Sequence, residues 1–307
     1  MSVSTQSIIR PAALQKGDQI GIISTARKIS KEELAFAKNT FTDWGLEVVF
    51  GENLFQEHHQ FAGTDEQRAS DLQWMIDNPN IKAIICARGG YGTVRILDQI
   101  NFSALQENPK WIAGYSDVTA LHSALHNLRI SSLHSSMPIN FSSNSKKSLE
   151  SLKNALLGNT LSYHFPKHEL NRNGIAQGEV IGGNLSIIYS LLGSPSDINT
   201  DGKILFLEDL DEYLYHVDRM MMNLKRNGKL SNLAGLLIGG MSDMNDNAIP
   251  FGKSAVEIIA GAVSDYNYPL AFNFPAGHLD DNNTLVFGET ANLVIESTCS
   301  LNYGKTS

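Results

Sequence analysis

The feature that most constrains the fold is the regular exchange of short apolar runs with helix-patterned stretches through the first half of the chain. Residues 18–24 read as a strand. Residues 31–44 carry helical apolar spacing that stops at Gly45, and 46–50 read as a second strand. Thr64 to Gln67 looks like a helix start ahead of apolar spacing over 68–77. Residues 81–87, apolar but for Lys82, suit a strand covered on both faces. Gly89-Gly90-Tyr91-Gly92 follows, then a helix through Leu97, a strand at Trp111–Gly114 and a helix over 118–128. Strand–helix alternation of this kind marks an α/β domain with a parallel sheet and helices on both faces. Sites in such sheets form at the C-terminal ends of the strands.

The second half is less regular. Residues 142–147 are polar and leave the first unit. Strand candidates lie at 203–207, 233–239, 270–274 and 284–295, with helices around 149–157 and 214–223. The expected division is 1–145 for an N-terminal α/β domain, 146–176 for a linker and 177–307 for a smaller β-rich domain. A chain of 307 residues, 42% hydrophobic and 18% charged, can bury a core of that size. The net charge of −8 argues against nucleic acid as a partner, since phosphate binding needs a basic face. No apolar run approaches the ~20 residues that span a bilayer. The opening MSVSTQSIIRPAALQKGD has no signal-peptide pattern, so a cytoplasmic location is expected. Cys86 and Cys299 form no metal spacing, and Cys86 reads as a buried free thiol.

Chemistry concentrates where strands end. In Gly114-Tyr115-Ser116-Asp117-Val118, a lone Ser sits between an apolar strand and an apolar helix. Such a turn lifts a hydroxyl clear and sets it beside unpaired N–H groups of the first helical turn. Val118 stands where GxSxG has its second Gly, which disfavours an ordinary α/β-hydrolase. The alternative is that Ser116 or Asp117 merely caps the helix. Arg88-Gly89-Gly90-Tyr91-Gly92 offers backbone N–H groups to an anion, or is a plain turn. It is neither GxGxxG nor a P-loop. Glu208, at the tip of an apolar strand, could orient an imidazole, or be a solvated acid among Asp209, Asp211 and Glu212. His278, in Pro275-Ala276-Gly277-His278, could exchange a proton near neutrality, or be a loop residue without a role. His122 and His126 share a helix face but lack a third ligand, so packing is the better reading. Met220-Met221-Met222 reads as core filling.

Together these blocks resemble the serine LD-carboxypeptidase family, the muramoyltetrapeptide carboxypeptidases. The matching residues are Arg88 to Gly92, Gly114 to Leu121, Gly182-Gly183-Asn184-Leu185, Leu207-Glu208-Asp209 with Asp218-Arg219-Met220, and Pro275 to His278, in the family's order. The resemblance implies a flavodoxin-like or amidotransferase-like N-terminal domain, a β-rich C-terminal domain and a homodimer. It implies a split triad: Ser116 as nucleophile, Glu208 as orienting acid and His278 as base. Oxyanion donors would be the N–H groups of Gly90 and Asp117. Arg88 and Asn184 are candidates for substrate binding, and no metal or other cofactor is implied. The implied substrate is a murein tetrapeptide that loses its terminal D-alanine during cell-wall recycling. Alternatives are hydrolysis of aminoacyl-nucleotide antibiotics, as in microcin-immunity relatives, and muropeptide binding without catalysis. Two loops depart from the family pattern and are expected to border the cleft: His134-Ser135-Ser136-Met137-Pro138 in place of His-Gly-Pro-Met, and Ser24-Thr25-Ala26 in place of a Pro-Ser loop.

Overall fold

A computed structural model describes residues 7–304. Its first sheet is built from β1 (Gln19–Ile23), β2 (Glu47–Phe50), β3 (Ile81–Cys86), β4 (Trp111–Gly114) and β5 (Ser132–His134). These five are parallel and lie in the order β5-β4-β3-β1-β2. The connections carry α1 (Lys31–Asp43), α2 (Asp65–Asp77), α3 (Thr93–Leu97), α4 (Ala104–Glu107) and α5 (Thr119–Asn127). Local chemistry explains the helix starts. Ser30 with Glu33, and Thr64 with Gln67, form reciprocal capping boxes at α1 and α2. Ile84, Ile85 and Cys86 of β3 are fully buried, as helices on both faces require. Burial pushes the free Cys86 thiol up to about 12.

The chain continues through α6 (Lys146–Leu156), β6 (Ser162–Phe165), β7 (Gly174–Asn184), α7 (Leu185–Leu191), β8 (Ile204–Leu210), α8 (Leu214–Arg226), β9 (Gly235–Ser242), α9 (Ala255–Ala262), β10 (Leu270–Ala271), β11 (Leu285–Phe287), β12 (Thr290–Ile295) and β13 (Cys299–Tyr303). Seven of these strands form a second, mixed sheet in the order β10-β9-β8-β7-β12-β13-β6. Its β7–β10 half is parallel and its other half antiparallel. Ile181, Leu205, Leu207 and Leu236 of the parallel half pack with Val217, Met220 and Met221 of α8.

Within residues 146–176, expected as a linker, lie the helix expected around 149–157, which is α6, and the edge strand β6. Residues 284–295, expected as one strand, are two. Gly288 turns the chain at φ +89°, and its N–H donates to Val180 O at 2.8 Å. Before that turn, β11 joins the first sheet antiparallel to β5, pairing Leu285 with His134 and Phe287 with Ser132. After it, β12 joins the second sheet against β7. Among the described residues no helix is long and apolar enough to cross a membrane.

Candidate active site

At the end of β4 the backbone bends through a 3₁₀ turn, residues 116–118, closed by the Val118 N–H donating to Tyr115 O at 3.2 Å. Ser116 sits there at φ +61°, a left-handed conformation that costs a non-glycine residue about 1–2 kcal/mol. The strand end is pinned from behind. His122 Nε2 lies 2.9 Å from Gly114 O, and its Nδ1 lies 2.8 Å from Ser132 Oγ. Burial lowers its pKa to about 4, so the ring is neutral, and both its nitrogens are engaged in these contacts. Among the described residues no cluster of His, Cys, Asp or Glu could hold a metal ion.

The Gly-rich loop lies directly against the hydroxyl. A Cβ at Gly89 would meet Ser116 Oγ at 3.2 Å. Gly90 follows at φ +112°, where a side chain would be strained and would strike Arg27. The Asp117 side chain faces away from this point: its Oδ2 accepts from Thr93 N at 2.8 Å and so ties the Ser116 turn to the start of α3. Among the described residues no group accepts a hydrogen bond from the N–H of Gly90 or of Asp117.

The other wall comes from β8 and the 275–284 loop. Glu208 is fully buried, so the solvated-acid alternative does not hold. Opposite it the β8–β9 ladder slips: Leu207 pairs with Ile238 but Asp209 with Met241, so β9 carries one extra residue at its Gly239-Gly240. Glu208 Oε2 accepts from His278 Nδ1 at 2.7 Å and from the His278 N–H at 3.3 Å. A carboxylate on Nδ1 leaves Nε2 as the lone-pair nitrogen of the neutral ring. Only Gly fits at 277, since a Cβ there would lie 2.7 Å from Glu208 Oε2. Burial pushes the His278 pKa down, but the Glu208 charge and hydrogen bond and the Asp209 charge outweigh it, and the net shift is upward. Asp209 is also buried. Desolvation and then the Glu208 charge raise its carboxyl to about 7, against hydrogen bonds from Leu210 N, Asn184 Nδ2 and Ser186 N.

Both walls face one cleft of about 450 Å³, whose lining includes Arg88, Gly90, Ser116, Asp117, Asn184, Asp209 and His278. Residues 20–135 match the family model of the LD-carboxypeptidase N-terminal domain, and 177–293 match that of the C-terminal domain. The chain belongs to the LD-carboxypeptidase family. A Bacillus subtilis (strain 168) protein named "Probable murein peptide carboxypeptidase" is 35% identical, over 92% of this chain and 90% of its own. The muramoyltetrapeptide carboxypeptidase structure from Oxalobacter formigenes superposes with a TM-score of 0.85 at 27% identity, covering 94% of this chain and 99% of its own. An MccF-like protein from Bacillus anthracis str. Ames shares the fold at TM-score 0.83 and 23% identity, covering 97% and 100%. Family membership makes this protein a peptidase of the LD-carboxypeptidase type.

In this LD-carboxypeptidase the sequence-expected site residues converge unequally. Ser116, Gly90, Asp117 and His278 meet in the cleft, with Glu208 immediately behind the imidazole. No hydrogen bond joins Ser116 Oγ to His278 among the described residues. Asn184 lines the cleft, but its side chain is engaged. Its Oδ1 caps α7 at Ile187 N, 3.2 Å, and its Nδ2 donates to Asp209 Oδ1, 2.8 Å. Arg88 is one-third exposed, and its guanidinium donates to Lys28 O at 3.2 Å and lies 3.7 Å from Glu33. Of the two divergent loops, Met137 lines the cleft but Ser24, Thr25 and Ala26 do not, and the next residue, Arg27, does. Sequence reasoning missed Arg27 and the burial of Asp209. The available signal for Arg27 was its place just past the end of β1.

Proposed function

We propose that the protein is a serine LD-carboxypeptidase that removes the terminal D-alanine from murein tetrapeptides in cell-wall recycling. Ser116 is the nucleophile, His278 the base and Glu208 the orienting acid. The observation that carries this reading is the 2.7 Å contact of Glu208 with His278 Nδ1, in the cleft where Ser116 is held at positive φ. Glu208 fixes the ring so that Nε2 accepts the Ser116 proton as the hydroxyl attacks the carbonyl. The free N–H groups of Gly90 and Asp117 stabilise the oxyanion, each donor typically contributing ~3 kcal/mol to lowering the barrier. The imidazolium then protonates the leaving D-alanine, and water activated by His278 releases the acyl group. No metal or organic cofactor takes part. Asn184 lines the substrate side and braces Asp209. The functional units are 1–145 and 177–307 joined through 146–176, acting as a cytoplasmic homodimer.

The test is hydrolysis of a tetrapeptide ending in D-alanine. Ser116→Ala should fold, lose turnover and escape labelling by a fluorophosphonate, while the parent protein is labelled. Turnover retained in Ser116→Ala removes the triad. Binding of the peptide by the parent without turnover or labelling would favour the non-catalytic reading. The shared MccF-like fold supports the second reading, amide hydrolysis of an aminoacyl nucleotide. An aminoacyl sulfamoyl adenosine cleaved in preference to the tetrapeptide would establish it.

A further inference from the structure

We infer that Arg27 is the residue that binds the terminal carboxylate of the leaving D-amino acid, an inference that rests on the peptidase reading above. The covalent geometry of the substrate limits where this carboxylate can lie. Three bonds, of about 1.33, 1.46 and 1.52 Å, separate the attacked carbonyl carbon from the carboxylate carbon. The carboxylate oxygens therefore fall within about 5 Å of the reacting carbon. A cation that reads them must stand beside the oxyanion donors.

Arg27 stands there. A Cβ at Gly90 would lie 2.6 Å from Arg27 Cδ, 2.7 Å from Cγ and 2.8 Å from Nε, so the arginine stem lies across the Gly90 backbone. The main chain under it is fixed. Ser24 Oγ donates to Arg27 O at 2.5 Å, the Arg27 N–H donates to Gly89 O at 3.4 Å, and Ala62 N donates to Ala26 O at 3.0 Å. Its guanidinium has no hydrogen bond or ion pair among the described residues, whereas that of Arg88 is held by Lys28 O and Glu33. The far wall of the cleft carries the acidic Asp211 and Glu212, which repel a carboxylate. The leaving group must therefore face the arginine side. A guanidinium can take both carboxylate oxygens at once.

The experiment compares two tetrapeptides, one ending in free D-alanine and one in D-alaninamide, across the parent protein, Arg27→Gln, Arg27→Lys and Arg88→Gln. Fluorophosphonate labelling of Ser116 reports that each variant keeps a formed site. Arg27→Gln should raise KM and lower kcat/KM on the free acid on the order of 10- to 100-fold. Its effect on the amide should stay within about twofold, so discrimination between the two substrates collapses. Arg27→Lys should restore part of it. Equal losses on acid and amide, or discrimination abolished by Arg88→Gln and kept in Arg27→Gln, would overturn the assignment. Absence of turnover by the parent protein on either peptide is a different result and overturns the peptidase reading itself.

Discussion

Ser116 and His278 reach the same cleft by opposite means. The main chain places Ser116: a left-handed φ, a 3₁₀ turn and the abutting Gly89 leave the hydroxyl little choice of position. A buried side chain places His278: Glu208 grips Nδ1 and the backbone N–H, and the absent side chain of Gly277 makes room for it. One half of the site is held by backbone geometry and the other by charge and volume. The nucleophile half should therefore respond to substitutions that change backbone freedom. The base half should respond to substitutions that change charge or bulk.

The largest expected effect lies on the base half. Glu208→Gln keeps the shape and removes the charge, and kcat on the tetrapeptide should fall on the order of 10⁴-fold. A loss below tenfold would mean that His278 is oriented by something else. Gly277→Ala should push the carboxylate aside and force an alanine to φ +101°. About a 100-fold loss in kcat and about 2 kcal/mol of stability are expected, read by kinetics and denaturant titration.

A smaller effect separates charge from burial. His278 must be neutral to accept a proton, and its pKa is raised, so kcat/KM should fall as pH drops through a value above 6.5. In Glu208→Gln the two larger raising interactions go while the burial and the Asp209 charge stay, so that acid limb should move to lower pH. Stability has a matching sign. The interaction of Glu208 with the imidazolium contributes fully below the unfolded pKa of His and is lost as pH rises through the folded one. A limb that stays put in Glu208→Gln would separate His278 from the titration. The smallest effect probes the nucleophile half. Ser116→Gly should be more stable than Ser116→Ala by about 1 kcal/mol, because glycine takes positive φ without a Cβ penalty. Equal melting temperatures would mean that the turn relaxes and holds no strain.

The same contrast explains how much could be read from the sequence. The first sheet was legible because its strands are apolar runs bounded by helix caps, as at 81–87 and Thr64. β7 was not: GIAQGEVIGGN carries four glycines and polar residues, and its structure comes from neighbours on both sides. The pairing of β11 was likewise set by tertiary contacts, whereas the helix of 255–262 carries a local signal that went unread, the Ser254–Glu257 capping box. In the site, Ser116 and the Gly-rich loop show themselves through local turn chemistry. From its neighbours alone Glu208 read better as a solvated acid, because no sequence pattern reports that a β9 residue is doubled opposite it. Arg27 carried no motif, since its place is defined only by the fold that lays it over Gly90.

The crossing of β11 has a consequence for biosynthesis. Residues 285–287 complete the edge of a sheet whose other strands are all made before residue 135. During translation the β5 edge must wait, open, for a segment about 150 residues downstream. An isolated N-terminal fragment would expose that edge, a ready template for aggregation. Folding of the nucleophile's own sheet thus finishes only after the base has been synthesised, so a truncated chain cannot carry a finished half-site.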